Sequence, residues 1–370
     1  MLALKRIVAK LHIKFALSGL KVKTKRRVFV EDEMIGSRKR QLLYSAIDNY
    51  IKLASPITSL LVQKTELHDL STATIRNELN ALEAMGYLKQ LHTSSGRVPT
   101  TKGYRFYVNE TLKSTTMDNV DLGKIGNDMF ARTSSLSEIV DSISKMVSNT
   151  THYPTIFYFD GFDNLIVKSV KVVFLITSQL LILIETNAGA ISHTVTSSEK
   201  ITQQDCENAS NVFTSIFAGK SMKFMTSNVE EFSSKVKSTM SKYDEVFKLV
   251  LHAVDMYYNR TKSKVSSHGI VKLLDSKGFE SAKNILTVLD DTSNIEDIVD
   301  KKDDSEISVK IGKENANEML SDCAVIQAPL VVDGKRIATV GVIGPERIDY
   351  ANIASVLKFV SDQIKNNTRR

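Results

Sequence analysis

The chain has 370 residues, 42% of them apolar and 7% aromatic, and reads as a globular protein of two or three domains with ample core material. Its two cysteines, Cys206 and Cys323, lie too far apart for a disulfide framework or thiolate zinc site, and a reducing compartment fits. The net charge of +7 is uneven: residues 1–33 carry nine basic and three acidic groups, residues 37–110 ten and six, and the remainder 30 and 33. A basic front on a slightly acidic body points to a polyanionic partner for the front alone.

Within 1–36, Leu4, Ile7, Val8, Leu11 and Phe15 recur at helical spacing beside Arg6, Lys10 and Lys14. The segment reads as a basic amphipathic helix, a disordered arm, or an upstream start-site artefact ahead of Met34. Lys10 and Lys14 interrupt any secretory apolar core. The longest apolar neighbourhood, 170–184, is broken by Lys171 and Thr177-Ser178-Gln179 and is too short to span a bilayer. A cytoplasmic protein with no membrane partner is expected.

Over 37–52, Leu42, Leu43, Ala46, Ile47, Tyr50 and Ile51 mark one buried helical face, and Pro56 ends the helix. A short helix follows over 59–65. Ser71 then caps a helix running to Met85, with Gly86 as its stop. Residues 87–91 and 97–98 read as short strands around the tip Thr93-Ser94-Ser95-Gly96, where Gly96 allows a sharp turn, and 104–112 as a closing helix. The polar stretch 113–124 is a linker.

Ser135 and Glu138 form a capping box before the amphipathic run Leu136, Ile139, Val140, Ile143, Met146 and Val147. Strands are expected at 155–159, 167–176, 180–185 and 190–195, and helices at 203–218, stopped by Gly219, and at 230–258. Strand character returns at 307–311 and 324–332, and Asp333-Gly334 turns tightly into 336–343. Tyr350, Ile353, Leu357, Val360 and Ile364 mark a terminal amphipathic helix. Strands on both sides of a long helical block suggest an α+β domain with a mostly helical insertion.

Function concentrates in the stretch STATIRNELNALEAMGYLKQLHTSSGRVPT at 71–100. Ile75, Leu79, Leu82 and Met85 form the inward stripe, which leaves Thr72, Ala73, Arg76, Asn77 and Asn80 on the other side, toward the helix N-terminus. In a helix-turn-helix those positions face base edges in the major groove. Arg bridges guanine and Asn bridges adenine, Thr72 and Thr74 suit phosphate or base, and Ala73 permits close approach. His92 and Arg97 flank the hairpin tip, where phosphate or a minor groove lies, and Ser94 and Lys102 join this set. Arg38, Lys39 and Arg40 open the first helix, where backbone phosphates lie within reach.

These residues, with LHTSSGRVPTTKGYRFYV at 91–108, resemble the N-terminal domain of the HrcA family of heat-inducible repressors. GIVKLLD at 269–275, VKIGKEN at 309–315, DCAVIQAPL at 322–330 and GVIGPERIDY at 341–350 extend the resemblance over about 37–360. Departures from the family pattern are Thr58, Leu79, Ser95, Glu346 and Ile348, where the family has Gly, Met, Ala, Thr and Met; the front extension is not a family feature.

The resemblance implies an α+β, multidomain protein. A winged helix-turn-helix spans 37–112, followed by the 113–124 linker. A GAF-like α+β domain at 125–190 and 265–345 is interrupted by a mostly helical dimerisation insertion at 191–264, and a terminal helix occupies 346–370. It implies a repressor that binds the inverted-repeat CIRCE operator of chaperone operons of the dnaK/grpE and groE class as a homodimer, with double-stranded DNA and the GroEL chaperonin as partners. Val246, Phe247, Val250, Leu251 and Val254, at helical spacing in the insertion, are the expected pairing surface, the other reading being that this stripe packs inside its own domain.

The alternative is a metabolite-sensing winged-helix regulator with an effector in the GAF-like domain. An enzyme is not expected, and neither is a cofactor or metal. No G-x-S-x-G, H-E-x-x-H or Walker loop occurs, and the seven histidines have no i,i+4 pairing.

Overall fold

The computed structural model describes residues 35–65, 70–90, 96–114, 136–159, 161–176, 178–227, 243–261, 263–266, 279–290, 295–299 and 307–367. The basic stretch 1–34, His92, Ser94, most of the linker, Ser135 and the 269–275 motif lie outside the described residues. The chain divides into two compact units, one up to Lys113 and one from Ser114.

In the first unit, α1 (Ser37–Leu53) buries Leu42, Leu43, Ala46 and Ile47. It ends at Ala54, which turns left-handed and returns its N–H to the Tyr50 carbonyl at 3.0 Å. α2 (Ser59–Thr65) starts on Thr58, whose hydroxyl accepts the Leu61 N–H at 3.2 Å; the departure from glycine at that position therefore supplies a cap. α3 (Thr72–Ala84) starts on Ser71 and inserts Ile75, Leu79 and Leu82 into the core. Met85, expected in the same stripe, is 43% exposed, because the helix ends at Ala84 and Met85 serves as its cap before the left-handed Gly86.

β1 (Leu88–Gln90) pairs antiparallel with β2 (Arg97–Pro99), and Ile57, between α1 and α2, bridges Arg97 on the far side. The backbones of Ile57 and Arg97 exchange both hydrogen bonds, at 2.7 and 2.8 Å. A Cβ on Gly96 would lie 2.7 Å from the Ile57 carbonyl oxygen. Gly96 does not adopt a positive φ, so close backbone approach, and not the expected sharp turn, requires glycine there. α4 (Thr101–Ser114) starts earlier than its apolar pattern implies, because the Thr100 hydroxyl accepts the Gly103 N–H at 3.2 Å as a cap.

In the second unit, α5 (Leu136–Thr151) leads into β3 (Thr155–Tyr158). The chain then builds β4 (Val167–Ile176), β5 (Gln179–Thr186), β6 (Gly189–Thr196), α6 (Gln203–Phe217), α7 (Met222–Ser227) and α8 (Tyr243–Thr261), and returns in β7 (Ser263–Ser266). α9 (Phe279–Asp290), β8 (Ser308–Ile311), β9 (Cys323–Val332), β10 (Lys335–Pro345) and α10 (Tyr350–Asn367) follow. Asp333 and Gly334 both take positive φ, as a two-residue hairpin between β9 and β10 requires.

The strands form two sheets, one in the order β7-β3-β10-β9-β8 and the other in the order β4-β5-β6. Every described pairing is antiparallel, and the unit is α+β. On one face of the five-stranded sheet, Ile156, Tyr158, Val325 and Ile343 pack with Ile285 and Leu289 of α9. On the other, Phe157, Leu330 and Ile337 meet Ile143 of α5 and Ile364 of α10.

Two sequence expectations are corrected. The borders at 190/191 and 264/265 fall inside β6 and β7, because the excursion begins after β3 and closes where β7 pairs with β3. This excursion is wider than the expected insertion and carries β4, β5 and β6, a sheet of their own, ahead of its helices. The stripe expected to pair two copies is also used internally. Val246, Phe247, Val250 and Val254 are buried and Leu251 is half-buried, with Phe247 5.5 Å from Phe213 and 6.1 Å from Phe217 between ring centroids.

One edge of the smaller sheet is sealed by a helix. On β4, the Val170 N–H donates to Thr214 Oγ1 at 3.0 Å and the Val172 N–H to Ser210 Oγ at 2.9 Å, both on α6. Two helix hydroxyls thus replace a neighbouring strand, which keeps this edge from pairing with other chains. Replacing Ser210→Ala and Thr214→Val removes both acceptors while keeping side-chain volume close. Each change should destabilise the chain by about 1–3 kcal/mol, read as a lower midpoint in urea unfolding, because a buried N–H is left without an acceptor.

Candidate nucleic-acid interface

The candidate surface belongs to α3, which is held rigidly. The Ser71 hydroxyl accepts the Thr74 N–H at 3.1 Å, and the two hydroxyl oxygens lie 2.8 Å apart. Thr74 is therefore half-buried and engaged in the cap, not directed outward with the rest of its expected group. Gln63 of α2 donates to the Leu70 carbonyl at 2.8 Å, fixing the approach to the helix.

Thr72, Ala73, Arg76, Asn77 and Asn80 are all exposed, opposite the buried Ile75, Leu79 and Leu82. Among the described residues, Arg76 and Asn77 have no hydrogen-bond or ion-pair partner. A capped helix that presents a guanidinium and an amide with open hydrogen-bonding groups can read base edges. Asn80 differs, since its Oδ1 accepts a hydrogen bond from the Arg97 guanidinium.

The remaining expected cations are distributed unevenly. Three consecutive helix residues fan out by about 100° each, so Arg38, Lys39 and Arg40 cannot share one face. Arg38 and Lys39 flank Glu78 of α3, at 3.9 and 3.3 Å. Arg40 turns toward α4, where it pairs with Glu110 at 2.7 Å and lies 5.3 Å from the Phe106 ring centroid. Lys102 covers the Tyr87 ring at 4.4 Å and donates to the Met85 carbonyl at 3.2 Å. Arg97 donates from Nε to Glu83 at 2.8 Å. The acidic partners Glu78, Glu83 and Glu110 escaped sequence reasoning; Arg97 and Glu83 stand 14 positions apart, a separation with no periodic signal.

Both thiols are buried, and burial pushes Cys206 and Cys323 above the ordinary cysteine value, which keeps them protonated and unreactive. No group of three or more potential metal ligands occurs among the described residues. No described helix is long and apolar enough to cross a membrane.

A family model described as the HrcA protein C-terminal domain matches residues 137–354. The heat-inducible transcription repressor HrcA of Desulforamulus reducens is 30% identical over 340 residues, covering 90% of this chain and 97% of its own. That of Ruminiclostridium cellulolyticum is 29% identical over 338 residues, with 90% and 97% covered. Among solved structures, one titled as a hypothetical protein superposes with a TM-score of 0.66 at 21% identity, covering 90% of this chain and 98% of that one. This last likeness concerns the fold.

The Arg40–Glu110 contact yields a prediction about stability. Partial burial pushes the Glu110 carboxyl up, but the Lys113 hydrogen bond and the Arg40 charge outweigh it and hold the group below its ordinary value. A depressed carboxylate stabilises the fold above its unfolded-state pKa, and this contribution is lost as pH falls through the folded-state value. Arg40→Ala should cost about 1–2 kcal/mol at neutral pH. The gap from the unsubstituted chain should narrow on acidification below the usual carboxylate range, as followed by thermal unfolding across pH.

Proposed function

The chain belongs to the HrcA family of heat-inducible transcription repressors, and from that premise we propose that it represses chaperone operons of the dnaK/grpE and groE class by binding the inverted-repeat CIRCE operator. Its first unit acts as a winged helix, with α3 in the major groove and the β1–β2 hairpin as the wing. Arg76 and Asn77 read base edges, while Thr72 and Ala73 allow close approach at the helix N-terminus. Arg38 and Lys39 add phosphate contacts. The observation that carries this reading is the outward pair Arg76 and Asn77 on a capped helix, without a partner among the described residues.

The second unit combines a GAF-like domain with an insertion that pairs two copies. An inverted repeat calls for a two-fold protein, since one reading helix covers one half-site. With the α8 stripe buried, the pairing surface moves to the outer face of β4–β6. Val173, Leu175 and Ile176 are exposed there, Ile176 by 61%, and the half-buried Leu181 stands in register with Val173. A repeated apolar strand face is self-complementary, as an isologous dimer requires.

The protein acts in the cytoplasm, where the GroEL chaperonin keeps the repressor competent. Such tuning works on a marginally stable protein, because small changes in chaperone supply then shift the competent fraction. The metabolite-sensing alternative would need a site other than the apolar gap between the five-stranded sheet, α5 and α10. Its volume is about 30 Å³, room for about one water and far below a metabolite.

Arg76→Ala or Asn77→Ala should weaken operator binding by about 1–3 kcal/mol and leave random-sequence binding nearly unchanged, as measured by fluorescence anisotropy on both duplexes. Equal losses on the two would remove both residues from the reading set.

Val173→Glu with Ile176→Glu should give a folded monomer by light scattering, with weak binding confined to a half-site. A double variant that remains dimeric would place the pairing surface elsewhere.

A further inference from the structure

Arg97 stands in the DNA-binding unit with its side chain only 11% exposed, an unusual state for a cation beside a surface that meets a polyanion. Its backbone exchanges both hydrogen bonds with Ile57, at 2.7 and 2.8 Å. The side chain reaches across to α3, donating from Nε to Glu83 at 2.8 Å and from a terminal nitrogen to the Asn80 amide oxygen. Asn80 and Glu83 are three residues apart on one helix face, a spacing the planar fork of a guanidinium spans. Contact with a phosphate would require breaking this arrangement and exposing the Glu83 carboxylate to the DNA.

We infer that Arg97, Glu83 and Asn80 form a positioning clamp that fixes the angle between the β1–β2 hairpin and the recognition helix. Arg97 is then a positioning residue and not a phosphate contact. The inference rests on the DNA-binding reading of α3 and deepens it. A bidentate contact to adenine needs an asparagine oxygen free to accept from N6 and an amide free to donate to N7. The Asn80 oxygen is held by Arg97, so Asn80 belongs to the clamp and base reading falls to Arg76 and Asn77.

Glu83→Gln separates the clamp from simple electrostatics, because the two predict opposite signs. Removing a negative charge beside a polyanion strengthens binding to any DNA if only charge matters. Loosening the clamp instead weakens selective binding, although Glu83 itself never touches DNA. Arg97→Lys is the second variant: it keeps the charge a phosphate contact needs and loses the fork that reaches two acceptors.

Anisotropy titrations of the full chain on a CIRCE-repeat duplex and on a scrambled duplex of equal composition, over a series of salt concentrations, read both effects. Thermal unfolding checks that each variant folds. The expected result is an operator-to-scrambled ratio about tenfold lower in Glu83→Gln and in Arg97→Lys, with an unchanged salt slope. If Arg97→Lys does not fold, Glu83→Gln decides alone. The clamp is overturned if Glu83→Gln leaves the ratio intact or tightens both duplexes. It is also overturned if Arg97→Lys behaves as the unsubstituted chain while Arg97→Ala lowers the slope by about 0.9, the signature of one lost phosphate contact. If the unsubstituted chain itself fails to distinguish the two duplexes, the DNA reading fails first. If it distinguishes them and Arg76→Ala abolishes the difference, failure in Glu83→Gln counts against the clamp alone.

Discussion

The first unit depends on the close approach of residues 96 and 97 to Ile57. Gly96 lies where a Cβ would fall 2.7 Å from the Ile57 carbonyl oxygen, so the two backbones meet only with glycine there. That approach lets Arg97 bridge Ile57 on one side while β2 pairs with β1 on the other. The α1–α2 turn thereby becomes a third strand-like partner of the hairpin, and a two-stranded ribbon that would be marginal alone gains a support. From this anchored position the Arg97 side chain meets α3. The hairpin and α3 are consequently related by fixed hydrogen bonds.

This arrangement changes how the basic character of the front end is used. A count of lysines and arginines treats every cation as available to phosphate. In the folded unit, Arg40 is anchored to Glu110 and Phe106, Lys102 to Tyr87 and the Met85 carbonyl, and Arg97 to Glu83 and Asn80. Arg38 and Lys39 share Glu78. Surface ion pairs of this last kind hold weakly and exchange readily for a phosphate, whereas a cation with a fixed hydrogen-bonded geometry does not. Among the described residues, Arg76 and Asn77 therefore stand apart from these cations, since neither has a hydrogen-bond or ion-pair partner.

The second unit meets a different constraint, that of covering the faces of one sheet and an edge of the other. The five-stranded sheet is covered on both faces by helices, and the excursion between β3 and β7 carries a second sheet whose β4 edge is closed by hydroxyls of Ser210 and Thr214. Helix α8 buries its apolar stripe against the aromatic residues of α6, and among the described residues of the excursion Val173, Leu175 and Ile176 are the exposed large apolar ones. An amphipathic helix announces its apolar face in sequence, but not whether that face meets its own domain or a second copy. Only the placement of Phe213 and Phe217 against Phe247 answers that here.

Local chemistry alone determined much of the architecture. Ser71 before a 3.6-residue apolar period and Gly86 after it marked α3 almost to the residue, and Asp333-Gly334 marked the β9–β10 hairpin, because caps and tight turns depend on neighbours in the chain. The outward placement of Arg76 and Asn77 followed from the same period. What the tertiary structure decided was every pairing between distant residues: Arg97 with Glu83, Arg40 with Glu110, β7 with β3, and the stripe of α8 with α6. A single sequence carries no periodic mark for these, since side chains separated by 14, 70 or more positions meet only after the backbone between them has folded. Periodicity reports which side of an element is buried, and only the assembled fold determines what it is buried against.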